Sequence, residues 1–113
     1  MTFNEYQILA MRTAAPDRNM TEMLTEAAMG LAGECGEVAD LIKKSVFQDH
    51  CLSREALIRE LGDVLWYLNL AASAIGYRLN VVAAENIGKL KKRYPDGFDP
   101  ERSVNRSEYD DGK

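Results

Sequence analysis

The stretch from Thr21 to Tyr94 contains no proline, and its apolar residues recur every three or four positions. This spacing is the period of an α-helix that buries one face. The three prolines of the chain, Pro16, Pro95 and Pro100, lie outside the stretch, so nothing in it interrupts a helix. No segment shows the alternating apolar pattern of a β-strand. The sequence therefore predicts an all-α protein.

We expect four helices, of which the second and third are long. They should cover about residues 3–14, 21–47, 53–75 and 80–94. One apolar stripe follows the second helix through Leu24, Ala28, Leu31, Cys35, Val38 and Ile42. Ser53 and Asn80 are residue types that cap helix N-termini, and Gly76 is suited to end the third helix.

The length of 113 residues is sufficient for one small domain. We predict a single domain over residues 1–113, with a core at about 3–98 and an irregular polar tail at 99–113. Residues 64–75 of the third helix are apolar on nearly every side, and one four-helix subunit has few positions that enclose a whole helix. The sequence thus predicts a four-helix bundle completed by homo-oligomerisation, as a homodimer or homotetramer.

Charge and cysteine content exclude several classes of function. The net charge of −4 and the pI of about 5.0 argue against a general affinity for duplex nucleic acid. Cys35 and Cys51 form no CxxC pair, which is typical of reduced thiols. The N-terminus lacks the pattern of a secretion signal, and no apolar run is long enough to span a membrane. We therefore expect a cytoplasmic protein without a membrane partner.

Two pairs of carboxylates stand beside the apolar surface of the long helices. Glu34 and Glu37 are three residues apart on the second helix, and Glu60 and Asp63 are three apart on the third. This spacing puts each pair on one helix face. Surface acids are the alternative, but partly buried carboxylates are costly without a compensating cation. Carboxylate oxygens alone favour Mg²⁺, with Mn²⁺ as a second possibility, and Mg²⁺ commonly also binds substrate phosphates.

Three glycines lie in the second helix beside the first pair of acids. Gly30, Gly33 and Gly36 each lower helix propensity by about 1 kcal/mol relative to alanine, which suggests close approach by something else. We favour helix packing for Gly33 and Gly36, with room for metal and ligand as the other reading.

A di-iron bundle would need a Glu-x-x-His motif, and the one histidine, His50, does not follow a glutamate at that spacing.

Three segments of the sequence resemble the MazG family. They are GLAGECGEVADLIKK (30–44), RELGDVLWYL (59–68) and KLKKRYPDGF (89–98), and the resemblance covers roughly Glu22 to Phe98. MazG proteins are all-α nucleoside-triphosphate pyrophosphohydrolases, related to dimeric dUTPases and phosphoribosyl-ATP pyrophosphohydrolases. Their signature is a Glu-x-x-Glu pair followed on the next helix by a Glu-x-x-Asp pair.

The resemblance implies a site and a reaction. Glu34, Glu37, Glu60 and Asp63 would hold Mg²⁺ against a triphosphate. Water would attack the α-phosphorus to give a nucleoside monophosphate and pyrophosphate, with Glu37 as the preferred general base. Members of the family assemble as dimers or tetramers, and clearing the nucleotide pool is a role implied by the family.

Candidate substrate contacts lie on the third and fourth helices. Asn86, Lys89 and Arg93 share one face, which is either a solvated basic face or, as the resemblance favours, a set of triphosphate ligands. Trp66 and Tyr67 could stack on a base or sugar, although aromatic residues at helical spacing more often pack in a core. The alternative function is a helical interaction module that has kept the fold and lost activity, which the complete set of acids argues against.

Overall fold

The protein is all-α in a computed structural model that describes residues 1–108. Its elements are α1 (Phe3–Met11), α2 (Met20–Phe47), α3 (Arg54–Ala74), α4 (Leu79–Arg93), α5 (Pro100–Val104) and a 3-10 helix (Arg106–Glu108). No β-strand occurs within these residues. The predicted all-α class and the four main helices are confirmed. No helix within residues 1–108 is both long and apolar enough to cross a bilayer.

Local capping explains where the long helices begin and end. Asn19 accepts a hydrogen bond from the Glu22 backbone, and the Glu22 side chain accepts one from the Asn19 backbone, so a reciprocal capping box starts α2. The predicted cap at Ser53 is confirmed, because its hydroxyl accepts from the backbone N–H of Ala56 at 3.2 Å. Gly76, predicted to end the third helix, follows it with a positive φ of 77°.

Two local predictions were wrong. Helix α4 begins at Leu79, so Asn80 lies inside its first turn and is not its N-cap. The tail predicted to be irregular contains α5, whose Asp99 side chain accepts a hydrogen bond from Glu101 and whose Pro100 occupies the first turn. An aspartate cap followed by proline is a strong start signal even in a polar segment. The rest of that predicted tail, residues 109–113, lies outside the described residues.

The chain forms two compact units, the first comprising Met1–Leu79 and the second beginning at Asn80. In the first unit α2 and α3 are the main packed pair and α1 lies against α3. Gly30 of α2 packs on the ring of Tyr67, and Glu34 lies near Glu60 and Asp63, so residue numbers rise along α2 as they fall along α3. The two helices are therefore antiparallel. The predicted single domain over residues 1–113 stays a prediction.

Hydrogen bonds made by Gln7 and by Trp66 hold α1 against α3 at two places along its length. The Gln7 side chain donates to the Ser73 hydroxyl at 2.9 Å and to the Tyr77 carbonyl at 3.0 Å. Its oxygen accepts from the backbone N–H of Leu79 at 2.7 Å. The indole N–H of Trp66 donates to the carbonyl of Ala10 near the other end of α1. These contacts hold the short helix against a much longer one.

Much apolar surface is left uncovered on the first unit. Within the predicted stripe of α2, Ala28 and Cys35 are exposed and Ile42 is 44% exposed, because α3 covers a neighbouring face that contains Ala27 and Gly30. As expected, one chain covers residues 64–75 only in part, since Leu68 and Ile75 remain exposed. Helix α3 presents an exposed apolar stripe formed by Ile58, Leu61, Leu68 and Ile75.

Candidate functional site

The packing of α2 on α3 gathers three of the four predicted acids. One carboxylate oxygen from each of Glu34, Glu60 and Asp63 lies within 4.8 Å of the other two. Glu34 and Glu60 are partly buried, whereas Asp63 is exposed. Because Glu60 and Asp63 are one turn apart on α3, they face the Glu34 carboxylate as a pair. We refer to these three residues as the acid cluster.

The acid cluster raises the pKa of Glu34 above the ordinary value for glutamate. Partial desolvation is the largest cause, followed by a hydrogen bond with the Glu60 side chain and by the negative charges of Asp63, Glu60 and Glu37. A partly desolvated carboxylate beside other negative charges gains proton affinity, because its charged form is disfavoured. Neutralisation by a proton or by a metal cation would therefore stabilise the arrangement.

The donor set fits a hard divalent cation. Mg²⁺ holds oxygen ligands at about 2.1 Å, so two ligands on opposite sides of the ion are about 4.2 Å apart. The 4.8 Å span of the acid cluster differs from this by an amount that small side-chain rotations can supply. All the donors are carboxylate oxygens, the ligand type that Mg²⁺ and Mn²⁺ prefer. Glu34, Glu60 and Asp63 are thus the residues that would hold the ion.

Glu37, the fourth predicted metal ligand, is exposed and lies outside the acid cluster. Its charge nevertheless contributes to the raised pKa of Glu34 and of Lys44, so it remains in the electrostatic environment of the site. Sequence spacing placed Glu34 and Glu37 on one helix face, but it did not specify which of them turns toward α3. The structure gives that position to Glu34.

Among residues 1–108, Gly30 is the only one of the three α2 glycines that meets another helix. A Cβ atom added to Gly30 would overlap ring atoms of Tyr67. The predicted helix packing at Gly33 and Gly36 was wrong for the described residues of a single chain, since nothing lies within 4 Å of a Cβ atom at either position. Both glycines are exposed.

The two aromatic residues proposed to contact the base, Trp66 and Tyr67, make contacts within the chain. The Trp66 indole N–H donates to the Ala10 carbonyl at 3.2 Å and to the Thr13 hydroxyl at 2.9 Å. Its ring meets that of Tyr67 edge to face, with centroids 5.1 Å apart. Tyr67 in turn fills the space beside Gly30. A nucleotide contact at either residue stays a prediction, and these contacts do not support it.

Helix α1 brings a tyrosine near the acid cluster that the sequence did not identify as a site residue. Tyr6 is partly buried, and its pKa is raised by burial and then by the negative charge of Asp63. In the sequence Tyr6 is one of several residues in the apolar pattern of α1. Its link to Asp63 arises only from tertiary packing, so no local signal marked it.

Asp40, which lies one turn after Glu37 on α2, forms ion pairs with two lysines. Lys44 contacts the Asp40 carboxylate at 2.8 Å and Lys43 contacts it at 3.3 Å. These lysines lower the pKa of Asp40, chiefly through their hydrogen bonds. Asp40 raises the pKa of Lys44, again mainly by hydrogen bonding. Because Asp40 is already neutralised by lysines, it differs from the acid cluster, which has no cation of its own among the described contacts.

The predicted phosphate ligands belong to the second unit. Asn86 and Lys89 are exposed on α4, and Arg93 is partly buried in its last turn. Their spacing of three and four residues gives them a common helix face, as predicted. Their assignment to a substrate stays a prediction.

Comparison with known proteins covers the helices that carry these residues. The model of the MazG nucleotide pyrophosphohydrolase domain matches residues 23–98, more than half of the chain. The chain is also similar to the Gene 37 protein of Mycobacterium phage L5, with 38% identity over 96 residues, 78% of this chain and 84% of the phage protein. No solved structure matches the chain.

Proposed function

Because the chain belongs to the MazG nucleotide pyrophosphohydrolase family, we propose that it is a Mg²⁺-dependent enzyme that cleaves nucleoside triphosphates to monophosphates and pyrophosphate. The observation that carries this proposal is the convergence of the Glu34, Glu60 and Asp63 oxygens within 4.8 Å of one another. Three carboxylates this close repel one another, and a divalent cation bound between them would offset that repulsion.

The chain's own residues have distinct roles in this proposal. Glu34, Glu60 and Asp63 hold Mg²⁺, with Mn²⁺ as a substitute. The bound ion would supply Lewis-acid stabilisation to the phosphoryl oxygens and to the leaving pyrophosphate. Glu37, which is exposed and lies outside the acid cluster, orients the attacking water and accepts its proton.

Substrate contacts are proposed on α4. Asn86, Lys89 and Arg93 present one amide and two cations on a common helix face, which suits the oxygens of a triphosphate. Because guanidinium binds phosphate in a two-pronged manner, Arg93 is expected to contribute more to affinity than a lysine would at that position. These assignments rest on family membership and on the chemistry of the side chains.

We further propose that the working unit is a homo-oligomer, as a homodimer or homotetramer. Ile58, Leu61 and Leu68 on α3 and Ile75 at its C-cap follow one another at spacings of three and seven. This is the period of a helix seam that packs against another helix. They are 37–68% exposed in the single chain. Burying such side chains contributes about 1.5–3 kcal/mol each, so a second copy covering this stripe would add substantial stability.

A substrate screen with matched variants tests the proposed activity. Nucleoside triphosphates are supplied with Mg²⁺, and pyrophosphate is detected separately from orthophosphate. Asp63→Asn should lower turnover by roughly a hundredfold or more while leaving the helical circular dichroism unchanged, because it removes a charge from the metal site. Glu55→Gln is the control, since Glu55 is an exposed acid of α3 outside the acid cluster. Equal losses in both variants would contradict the proposed site.

A further inference from the structure

The C-terminal turn of α4 is held by an arginine from the following helix. The last carbonyls of a helix have no partner within it. Here the Arg102 side chain donates from Nε to the carbonyl of Arg93 and from a terminal nitrogen to the carbonyl of Lys92, the latter at 3.0 Å. One guanidinium thus satisfies two adjacent carbonyls, and its charge lies at the negative end of the α4 dipole.

The segment between α4 and α5 reverses the chain direction and so brings Arg102 back to the end of α4. The Gly97 backbone adopts a φ of 94° and donates to the Tyr94 carbonyl at 3.2 Å, which reverses the chain. The rings of Tyr94 and Phe98 contact each other with centroids 5.3 Å apart. Asp99 then caps α5, on which Arg102 is partly buried. These contacts are all local to the second unit.

We propose that Arg102 is a positioning residue for Arg93, fixing the last turn of α4 so that the Arg93 side chain is presented to the triphosphate. This inference rests on the proposed function, in which Arg93 binds phosphate. The stretch that matches the family model ends at residue 98, so the contact made by Arg102 lies beyond it. The segment after residue 98 thereby acquires a role in substrate affinity.

The physical basis of this role is that the last turn of α4, which carries Arg93, is already formed before the substrate binds. If the turn that carries Arg93 were formed only part of the time, apparent substrate affinity would fall in proportion to the populated fraction. Helix ends fray readily unless their terminal groups find partners. The planar guanidinium of Arg102 bonds two carbonyls at once, whereas the ammonium of a lysine is a point charge without that fork.

Hydrogen exchange of the intact protein tests the structural step without requiring catalysis. The Tyr94 amide donates to the Leu90 carbonyl at 2.8 Å and reports on the last turn of α4. Arg102→Ala should accelerate exchange at this amide, and Arg102→Lys should give an intermediate rate. Arg106→Ala is the matched control, because it removes the same charge from an exposed residue of the same segment. Unchanged Tyr94 exchange in Arg102→Ala would overturn the inference.

Steady-state kinetics test the functional step. Because apparent affinity falls with the fraction of time that the turn is formed, Arg102→Ala should raise the KM for the triphosphate several-fold with kcat unchanged. Arg106→Ala should keep the wild-type KM. The double variant Arg93→Ala/Arg102→Ala should be no worse than Arg93→Ala alone, because Arg102 acts through Arg93. Arg93→Ala keeps the backbone carbonyl, so it leaves the contact with Arg102 intact.

The outcomes separate this inference from the proposed function. Faster Tyr94 exchange with an unchanged KM, or additive effects in the double variant, would overturn the positioning role while the activity stands. A wild-type protein that turns over no nucleoside triphosphate would contradict the proposed function, and the positioning role with it. In that case the exchange data would still show whether Arg102 holds the end of α4.

Discussion

The ring of Tyr67 occupies the space in which a Cβ atom on residue 30 would lie, so α2 and α3 approach each other through Gly30. Glu34 follows Gly30 by about one turn on the same side of α2, so this close contact lies next to the acid cluster. The packing of one glycine thus bears directly on the geometry of the metal site.

Substitution of Gly30 measures this contact. Gly30→Ala gains about 1 kcal/mol of helix propensity but forces the Tyr67 ring to move, at a cost of about 1–3 kcal/mol for overpacking. We expect a net loss of stability in urea unfolding without metal. Gly33→Ala, at a position with open space, should instead be neutral or stabilising. Equal gains at both positions would show that Tyr67 does not constrain residue 30.

Trp66 offers a test between structural packing and base stacking. Trp66→Phe removes the hydrogen bonds to Ala10 and Thr13 and should lower the free energy of unfolding by about 1–2 kcal/mol. The KM for nucleotides should not change. Denaturant unfolding and steady-state kinetics on the same preparation decide between the two roles. A strong rise in KM without loss of stability would assign Trp66 to the substrate.

The raised pKa of Glu34 predicts how metal binding depends on pH. Because the folded-state pKa of Glu34 lies above its unfolded value, protonation at falling pH favours the metal-free fold and competes with the metal. Above the folded pKa the charged carboxylate destabilises the metal-free protein, and this penalty is relieved as the pH falls toward the unfolded pKa. Mg²⁺ affinity should therefore decline at a higher pH than an ordinary glutamate would produce.

Carboxyl ¹³C NMR of the metal-free protein follows Glu34 directly. Glu60→Gln should lower the pKa of Glu34, because it removes a negative charge and substitutes an amide that can donate to the carboxylate. If Glu34 titrated as an ordinary glutamate and did not respond to Glu60→Gln, the described geometry of the acid cluster would be incorrect.

The residues that begin and end helices could be predicted from the sequence. Ser53 and Gly76 were placed correctly because caps and stops depend on a few neighbouring residues. The capping box at Asn19 and the start of α5 at Asp99 follow the same rules and were readable but missed. With a cap at Asn80 the helix would begin at Val81, two residues after its observed start at Leu79.

Contacts between residues that are far apart in the sequence could not be predicted in this way. The partner of Trp66 lies on α1, more than fifty residues earlier in the chain, so no local pattern indicates it. The proximity of Tyr6 to Asp63 likewise depends on how α1 lies on α3. Spacing on α2 correctly marked Glu34 and Glu37 as neighbours, but only packing against α3 distinguishes a member of the acid cluster from an exposed acid.

The proposed oligomer predicts the mass in solution. Size-exclusion chromatography with light scattering at low micromolar concentration should give a multiple of 12.7 kDa. Leu68→Glu should shift the population toward monomer, because it places a charge in the exposed apolar stripe of α3. Val104→Glu is a control at an exposed apolar residue of α5 outside the stripe. A stable and active monomer of the wild type would contradict this proposal.

Hydrolysis of a nucleoside triphosphate in ¹⁸O-labelled water with Mg²⁺, analysed by mass spectrometry, tests the central claim most directly. If water attacks the α-phosphorus and the metal-bound pyrophosphate departs, the label appears in the nucleoside monophosphate and not in pyrophosphate. The reaction should stop when Mg²⁺ is chelated. Label found only in orthophosphate would mean attack at the γ-phosphorus, and the protein would not be a pyrophosphohydrolase.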